Sequence, residues 1–283
     1  MSSFPTVKIT KMSGAGNTFA LLDARDSSVW KNLEKNVHKS RSEFAQIICD
    51  KVLGVCTDGF LLIEKGSEGF DFNWDFYNND GSSAEMCGNA ARCAARFCHE
   101  NFAKDLKTIR FKTGAGLVTA EIKADGRICV RMPAAKIIKE KIELKTNASS
   151  EEFTLVNTGV PHLVQKIHNF KDAGDLKEMA RECRHHADLK PAGANVTFYS
   201  LTEENKILAV TFERGVEDYT LACGTGAVAA AMVFAKESGN KTVDVHMPGG
   251  SMEIQFIPGD FHPLMTGEAL VVGEIQYNLE VIR

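Results

Sequence analysis

Short apolar runs separated by turn residues dominate the chain, and most of them are typical of β-strands. In the first half the pattern predicts strands at 19–24, 59–65, 71–78, 108–112, 116–123 and 127–132. In the second half it predicts strands at 152–159, 162–167, 195–201, 206–213, 242–247, 251–256 and 268–275. Turn residues at 124–127 (ADGR) and 248–250 (PGG) join neighbouring strands. The chain is therefore expected to consist mainly of sheet.

Two helices are predicted from an amphipathic or a polar sequence pattern. The stretch 40–53 begins with Ser40 and has Glu43 three residues later, which is the sequence signature of a capping box. Its apolar residues fall on one face: Phe44, Ile47, Ile48 and Val52. A polar helix is predicted at 174–184.

Two further helices are predicted to follow Cys87 and Cys223, and both are rich in small apolar residues. The second, at 224–236, has alanine on every face and is expected to stop near Gly239. A helix that is apolar all round is buried on all sides. Each of the two is therefore a candidate for the central helix of a domain wrapped by sheet.

The segments around these two cysteines form an internal repeat. MCGNAARCAARF at 86–97 aligns with ACGTGAVAAAMVF at 222–234, and the two cysteines are separated by about half the chain. The repeat predicts two similar α/β halves, each with one Cys-Gly pair at the start of a helix. We place the halves at 1–132 and 133–273, with the final strand at 274–283 returning to the first half.

Composition and charge narrow the functional classes. The chain has 283 residues, 44% hydrophobic and 25% charged, which are values of a globular protein with sizeable cores. The net charge is −4 without a basic block, so neither a nucleic-acid partner nor a membrane surface is expected. No apolar run has the length of a signal peptide or of a membrane span. We expect a cytoplasmic protein that acts on a small molecule.

The eight cysteines are expected to be mostly free thiols, because a chain of this length in a reducing compartment needs no disulfides. Their spacing contains no CxxC and the chain has no HExxH, so no metal site is predicted. Two of them, Cys87 and Cys223, differ from the rest in their matched Cys-Gly contexts. The others fit packing or surface positions: Cys49, Cys56, Cys93, Cys98, Cys129 and Cys183.

A cysteine at a helix start lies beside backbone N–H groups that have no helical acceptor, and these groups favour the thiolate. The glycine that follows lets a ligand approach the backbone, so the first amides of each helix could bind a carboxylate. If the two helix starts meet, one thiol lies on each side of a bound carbon. Two thiols that exchange a proton in this way can invert a carbon next to a carboxylate, and this chemistry requires no cofactor.

Other interpretations remain open at this point. A single cysteine before an Ala-rich helix is more often a buried apolar residue than a reactive one. Two facing thiols could also form a reversible disulfide, as in a redox protein. A binding protein of the same fold is a further alternative, although it gives no reason for both thiols.

The chain resembles the diaminopimelate epimerase family over nearly its whole length. The resemblance rests on six ordered blocks: KMSGAGNTF (11–19), TDGFLLIE (57–64), YNNDGSSAEMCGNAARC (77–93), NTGVPHLV (157–164), GANVTF (193–198) and ERGVEDYTLACGTGA (213–227). It implies an α/β (α+β) fold of two pseudo-symmetric domains. In each domain a barrel-like, mainly antiparallel sheet would surround a central helix, and the active site would lie in the cleft between the domains.

The resemblance also implies roles for individual residues. The catalytic thiols would be Cys87 and Cys223, and the reaction would interconvert LL- and meso-diaminopimelate for lysine and peptidoglycan synthesis without a cofactor. Arg214 would bind the distant carboxylate, and His162 would support the thiols. The other substrate-binding positions are Asn17, Asn78, Gly88, Asn89, Asn195, Glu213, Gly224 and Thr225.

Several positions depart from the common family pattern. Thr18 replaces an Asp, Ser13 a His, Val160 an Asn, and Tyr219 stands where a Glu is frequent, in a loop one residue longer than usual. These changes leave the thiols intact but affect the pocket for the far end of the substrate. A racemase or epimerase of another amino acid is therefore the main alternative. The sequence leaves the oligomeric state open, with a homodimer as one option.

Overall fold

The computed structural model describes residues 5–170, 174 and 176–282, and its contacts divide the chain into two units. The first unit runs to Val130 and takes up the chain again from Glu268, and the second comprises Arg131–Gly267. The sequence-based division placed these borders at 132/133 and 273/274. Arg283, at the end of the predicted return strand, lies outside the described residues.

The first unit is built on one sheet. Its strands are β1 (Thr6–Gly14), β2 (Asn17–Ala24), β3 (Gly59–Lys65), β4 (Phe72–Asn78), β5 (Thr108–Thr113), β6 (Gly116–Ile122), β7 (Ile128–Arg131) and β17 (Leu270–Asn278). Their order is β17–β1–β2–β3–β4–β5–β6–β7. Neighbouring strands are antiparallel, except that β2 is parallel to β3 and β4 is parallel to β5. The C-terminal strand therefore joins the N-terminal unit.

Helices cover both faces of this sheet. Between β2 and β3 the chain forms α1 (Ser27–Val37) and α2 (Arg41–Cys49), whose apolar side chains pack with Ala20 and Leu22 of β2. Between β4 and β5 it forms α3 (Gly88–Asn101), which packs with Phe19 and Leu21 on the opposite face of β2. Almost every residue in the first two turns of α3 is fully buried, so α3 is the central helix of the unit.

The second unit repeats this plan. Its strands are β8 (Lys136–Lys145), β9 (Ser150–Asn157), β10 (Pro161–Lys166), β11 (Asn195–Glu203), β12 (Lys206–Glu213), β13 (Asp218–Tyr219), β14 (Thr242–Met247), β15 (Gly250–Gln255) and β16 (Leu264–Gly267). The order is β8–β9–β10–β11–β12–β14–β15–β16, with the short β13 also paired to β12. The parallel pairs are β10 with β11 and β12 with β14.

The helices of the second unit occupy matching places in the chain. α4 (Lys177–Arg184) lies between the parallel strands β10 and β11, and α5 (Gly224–Ser238) lies between the parallel strands β12 and β14. Ala227, Val228, Ala229, Ala230 and Ala231 of α5 are fully buried. Each unit thus has the same order of parallel and antiparallel pairings and one buried helix, which confirms the predicted pseudo-symmetric α+β fold.

Several predicted elements are confirmed at their ends. The capping box at Ser40 and Glu43 is present, and α5 ends where Gly239 adopts a left-handed conformation (φ 79°). The polar helix predicted at 174–184 occupies Lys177–Arg184, and residue 175 of that range lies outside the described residues.

Other expectations were wrong or incomplete. The helix predicted at 40–53 ends at Cys49. Val52, predicted on the apolar face of this helix, lies beyond its end and is 77% exposed, because the Asp50 carboxylate accepts the backbone N–H groups of Val52 and Leu53 and turns the chain. The sequence analysis also did not predict β1, β8 or α1. None of the helices in the described ranges is long and apolar enough to cross a membrane.

Candidate active site

Cys87 is the N-cap residue of the central helix of the first unit. Its backbone is extended (φ −142°, ψ 128°), and its carbonyl accepts the N–H of Ala91 at 2.8 Å, which is the first helical hydrogen bond. The amides of Gly88 and Asn89 therefore belong to the first turn, where the helix supplies no acceptor. The side chain of Cys87 makes no capping bond and is half-buried. This is the arrangement that the sequence predicted for a reactive thiol.

A short chain of hydrogen bonds connects Cys87 to β2. The Cys87 thiol points at the Oδ1 atom of Asn17 at 3.8 Å, and the Nδ2 atom of Asn17 donates to Asp58 at 2.8 Å. Asp58 also accepts the backbone N–H and the hydroxyl of Thr18, at 2.7 and 3.0 Å. Asp58 thereby fixes the orientation of the Asn17 amide, with the carbonyl oxygen toward the thiol. Thr18, a departure from the family pattern, is part of this clamp.

The first turn of α3 is held from two sides. Gly14 of β1 lies so close that a Cβ atom there would meet the Asn89 carbonyl oxygen at 2.9 Å and the Cys93 sulfur at 3.3 Å. Arg92, a residue of α3 itself, donates from its guanidinium to the Asn89 side chain at 2.8 Å. Asn89 is 2% exposed, so its side chain is committed to Arg92 and only its backbone amide remains for a ligand.

Asn78 lies apart from this hydrogen-bonded group. It is the last residue of β4, and its exposed side chain donates to the hydroxyl of Ser82 at 3.0 Å across the following turn. The structure thus joins Asn17, Asp58 and Cys87 through hydrogen bonds, whereas Asn78 is held in its own turn.

Cys223 occupies the matching position in the second unit. Its backbone is extended (φ −123°, ψ 106°), and its carbonyl accepts the N–H of Ala227 at 2.8 Å. Here the thiol is buried and hydrogen-bonds to Glu213, whose carboxylate also accepts the hydroxyl of Thr220. Burial raises the pKa of Cys223, and the negative charge of Glu213 raises it further. Burial also raises the pKa of Glu213.

A buried chain of hydroxyl groups leads away from Cys223. The Thr225 hydroxyl lies 3.4 Å from the Cys223 sulfur and 3.0 Å from Nε2 of His162. Nδ1 of His162 contacts the Thr197 hydroxyl at 3.0 Å, and this hydroxyl contacts that of Thr211 at 3.0 Å. Burial, with the charge of Arg214 as a second cause, lowers the pKa of His162 to about 3. His162 is therefore neutral at physiological pH and links β10 to the start of α5.

Asn195 and Arg214 belong to the same group. Asn195 accepts the backbone N–H of Arg214 at 2.8 Å through Oδ1, and its Nδ2 lies 3.3 Å from Nε2 of His162. The Arg214 side chain donates to the carbonyl of Ala192 at 3.4 Å. The second unit therefore brings together every site residue predicted there: His162, Asn195, Glu213, Arg214, Cys223, Gly224 and Thr225.

The remaining cysteines lie away from the two helix starts or inside the cores. Cys93, in the second turn of α3, is fully buried, and burial raises its pKa to about 12. Cys49, Cys98, Cys129 and Cys183 are buried as well, whereas Cys56 is exposed. All eight cysteines are free thiols. Within the described residues, no group of three or more His, Cys, Asp and Glu side chains could hold a metal ion.

Two departures from the family pattern have a visible place in the fold. The Tyr219 ring packs edge-on against Phe212 and near Phe198, with ring centroids 5.8 and 6.5 Å apart, so it belongs to the apolar cluster under α4. Val160 follows Gly159, which has a left-handed backbone (φ 102°), and its carbonyl accepts the N–H of Thr158 at 3.1 Å. Tyr219 is thus a packing residue, and Val160 lies in a tight turn before β10.

The sequence analysis missed two residues that organise the first unit. Asp58 stands in the TDGF block that carries the resemblance, but only the structure shows that it clamps Asn17 and Thr18. Arg92 belongs to a helix that was predicted to be rich in small apolar residues, and its charged side chain is fully buried. The available signal was that a basic residue stands at this position, where the aligned repeat has Val228.

Comparisons with known proteins identify the family of the chain. The sequence profile of the family described as diaminopimelate epimerase matches residues 9–138 and 154–272. A diaminopimelate epimerase from Hydrogenobaculum sp. is 41% identical over 79% of this chain and 81% of its own length. One from Aquifex aeolicus is 35% identical over 96% of this chain and 98% of its own length.

Solved structures extend the comparison to the fold. The phenazine biosynthesis protein of the PhzF family from Bacillus anthracis matches with a TM-score of 0.70 at 13% identity, over 96% of this chain and 98% of that one. At this level of identity the match concerns the fold alone.

Proposed function

The chain belongs to the diaminopimelate epimerase family and is an isomerase, and from this premise we propose that it interconverts LL- and meso-diaminopimelate with Cys87 and Cys223 as its two acid–base groups. One observation carries the assignment of the thiols. Each pseudo-symmetric unit places one cysteine at the N-cap of its buried helix, followed by a glycine. Such a matched pair suits a reaction that needs one proton-transfer group on each face of a carbon.

The proposed reaction consists of two proton transfers, one to a thiolate and one from a thiol. A thiolate takes the α-proton and becomes a thiol, and the electron pair left on the α-carbon spreads into the adjacent carboxylate. The other thiol then donates its proton to the opposite face of the carbon and becomes a thiolate. The chemistry needs no cofactor, because both proton transfers involve side chains of the protein.

The first turns of the two helices supply stabilisation for the developing charge. We assign the carboxylate next to the reacting carbon to the amides of Gly88, Asn89, Gly224 and Thr225. One such preorganised donor is typically worth about 3 kcal/mol of the activation barrier. The positive end of each helix dipole would add to this stabilisation.

The other polar residues are assigned by their contacts. Asn17, oriented by Asp58, would contact the substrate next to Cys87. His162 and Glu213 would support Cys223, through Thr225 and directly. Asn195 fixes the backbone of Arg214, whose guanidinium would pair with the distant carboxylate, and Asn78 would contribute a further substrate contact.

Cellular context follows from the same assignment. We propose a cytoplasmic enzyme of lysine and peptidoglycan precursor synthesis that acts on a free amino acid. A homodimer stays a prediction, which the molar mass in solution would test.

The substrate is tested by solvent exchange. Wild-type protein is incubated in heavy water with LL-diaminopimelate and, separately, with a panel of L-amino acids, and α-deuterium uptake is measured by mass spectrometry. We expect deuterium uptake and formation of the meso isomer with diaminopimelate only. Val160 motivates the alternative substrate, because it replaces a polar residue of the common pattern. If diaminopimelate is inert and another amino acid exchanges, the substrate assignment is wrong.

A redox function is distinguished by the same assay. An epimerase loses activity when its two thiols are oxidised and recovers it in the presence of a reductant. A redox protein would instead need the oxidised form for its activity.

A further inference from the structure

Arg92 is a buried cation that the proposed reaction does not use. It is 0% exposed, and its guanidinium donates from Nη2 to the Asn89 side chain at 2.8 Å, from Nε to the carbonyl of Glu268 at 3.2 Å and from Nη1 to the carbonyl of Gly88 at 3.5 Å. Gly88 directly follows Cys87, so the guanidinium contacts the first turn of α3, and the thiols of Cys93 and Cys87 lie within reach of its charge. Burying a guanidinium is costly even when oxygen atoms surround it. A residue chosen for packing alone would not carry this charge.

The matching helix shows what packing alone would select. In the aligned repeat, Arg92 corresponds to Val228 of α5, which is also fully buried. The charged groups near the two thiols also differ in sign. Cys223 hydrogen-bonds to the carboxylate of Glu213, whereas Cys87 interacts electrostatically with the guanidinium of Arg92. The two pseudo-symmetric helix starts therefore have opposite electrostatic environments.

We propose that Arg92 is a positioning residue that holds Cys87 as the thiolate in the substrate-free protein, so that Cys87 is the resting base and Cys223 the resting acid. This inference rests on the proposed two-thiol function and adds which thiol is ionised before the substrate binds. The guanidinium stays protonated, because its ordinary pKa is far above neutrality even though burial lowers it. A buried positive charge within reach of a thiol favours its thiolate. At Cys223 the same argument applied to Glu213 favours the thiol.

The other groups near Cys87 have weaker effects. The Asn17 carbonyl oxygen accepts from the thiol and so favours its protonated form, but the contact is 3.8 Å long and involves no charge. Asp58, which orients Asn17, is exposed to solvent, so its charge is screened. Cys93 is neutral at physiological pH, because burial raises its pKa to about 12. The buried charge of Arg92 therefore dominates.

The test is the pH dependence of alkylation at each thiol. Protein without substrate is treated briefly with iodoacetamide between pH 5 and 10, and the modified peptides of Cys87 and Cys223 are quantified by mass spectrometry. Burial slows the reaction of a thiol at every pH, whereas the pH of half-maximal rate reports its ionisation. We expect this pH to lie below that of an ordinary thiol, about 8.5, for Cys87 and above it for Cys223. The reverse order would overturn the proposal.

Variants of α3 assign the effect to Arg92. Arg92→Met removes the charge but keeps an elongated side chain, and it should raise the half-maximal pH of Cys87 by at least about one unit, which is about a tenfold lower rate at pH 7. Arg92→Lys keeps the charge and should stay within about half a unit of the wild type. The matched control is Arg96→Met, which removes a partly exposed arginine one turn further along the same helix and should leave the profile unchanged.

Each outcome is informative. If Arg92→Met leaves the Cys87 profile unchanged, the proposal is wrong. If Arg92→Met does not fold, as judged by circular dichroism, the order of the two thiols in the wild type still tests whether Cys87 is the resting base, and Arg92→Gln replaces Arg92→Met as the test of the charge. The measurement needs no substrate. A chain that fails to epimerise diaminopimelate but shows the Arg92-dependent profile would refute the proposed substrate and leave the control of Cys87 ionisation by Arg92 standing.

Discussion

At the residue scale, the two candidate catalytic thiols have the same backbone position and different surroundings. Both are N-cap residues with extended backbones, and this could be predicted from their Cys-Gly contexts. Their side-chain partners could not. Glu213 reaches Cys223 from β12, and local pattern does not record which strand lies next to a helix start. Arg92 lies in α3 itself, but local pattern does not show that its charge is buried there. Only the resemblance to a family suggested Glu213, and the only signal for Arg92 was a basic residue where the aligned repeat has Val228.

The carboxylate of Glu213 is expected to control the ionisation of Cys223. In Glu213→Gln the buried negative charge is gone, while the side chain can still hydrogen-bond to Thr220. The thiol of Cys223 should then ionise at lower pH, because a neighbouring negative charge no longer opposes the thiolate. The measurement is the pH of half-maximal alkylation of Cys223. Glu203→Gln, at an exposed carboxylate paired with Lys206, is the control, and an unchanged Cys223 profile in Glu213→Gln would refute the coupling.

His162 makes the stability of the protein depend on pH. Its pKa falls from an ordinary 6.5 to about 3 in the folded state, so the unfolded chain binds a proton first as the pH decreases. The stabilisation is complete above pH 6.5 and decreases below it, by about 2 kcal/mol at pH 5. Urea unfolding at pH 7 and pH 5 measures this difference.

The variants for this prediction are His162→Gln and His168→Gln. Replacing His162 should reduce the difference between the two pH values by about 2 kcal/mol. His168 is exposed, and its replacement should leave the difference unchanged. Equal pH dependence in the wild type and in His162→Gln would contradict the neutral, buried state of His162.

At the element scale, strongly patterned elements were predicted and weakly patterned ones were missed. The ends of α5 follow from its alanines and Gly239, and the start of α2 follows from its capping box. Strand β8 escaped because its sequence, KIIKEKIELK, is mostly charged and only Ile142 and Leu144 are buried. It borders the sheet of the second unit and needs few apolar side chains, so an alternating pattern barely appears.

Close packing of α5 against β12 is testable at Gly226. A Cβ atom at this position would lie 2.2 Å from the Thr211 hydroxyl oxygen and 3.2 Å from its Cβ atom. Gly226→Ala should therefore destabilise the protein by about 1–3 kcal/mol, as overpacked cores do. The free energy of unfolding in urea gives the value.

A double-mutant cycle checks that the Thr211 hydroxyl is the obstacle. Thr211→Ala alone costs the hydrogen bond to Thr197, about 1 kcal/mol. Combined with Gly226→Ala, it removes the clashing oxygen, so the double variant should be more stable than the sum of the single effects predicts. Additivity within about 0.5 kcal/mol would show that the close approach is not the cause.

At the scale of the whole molecule, the internal repeat predicted the architecture better than any single element did. Aligning the segments around Cys87 and Cys223 implied two similar halves, and the two units share one order of parallel and antiparallel strand pairs. The return of β17 to the first unit was also anticipated. The substrate could not be derived from pseudo-symmetry, which specifies two proton-transfer groups but not what lies between them. The family supplied that part.

The central claim is that each thiol serves one face of the same α-carbon, and single-thiol variants test it most directly. Turnover of LL-diaminopimelate to the meso isomer is measured for the wild type, Cys87→Ala and Cys223→Ala, with Cys93→Ala as a buried-thiol control. The account predicts that each of the first two variants loses epimerisation while remaining folded, and that Cys93→Ala retains it if it folds. Continued epimerisation by either Cys87→Ala or Cys223→Ala would contradict the two-thiol mechanism.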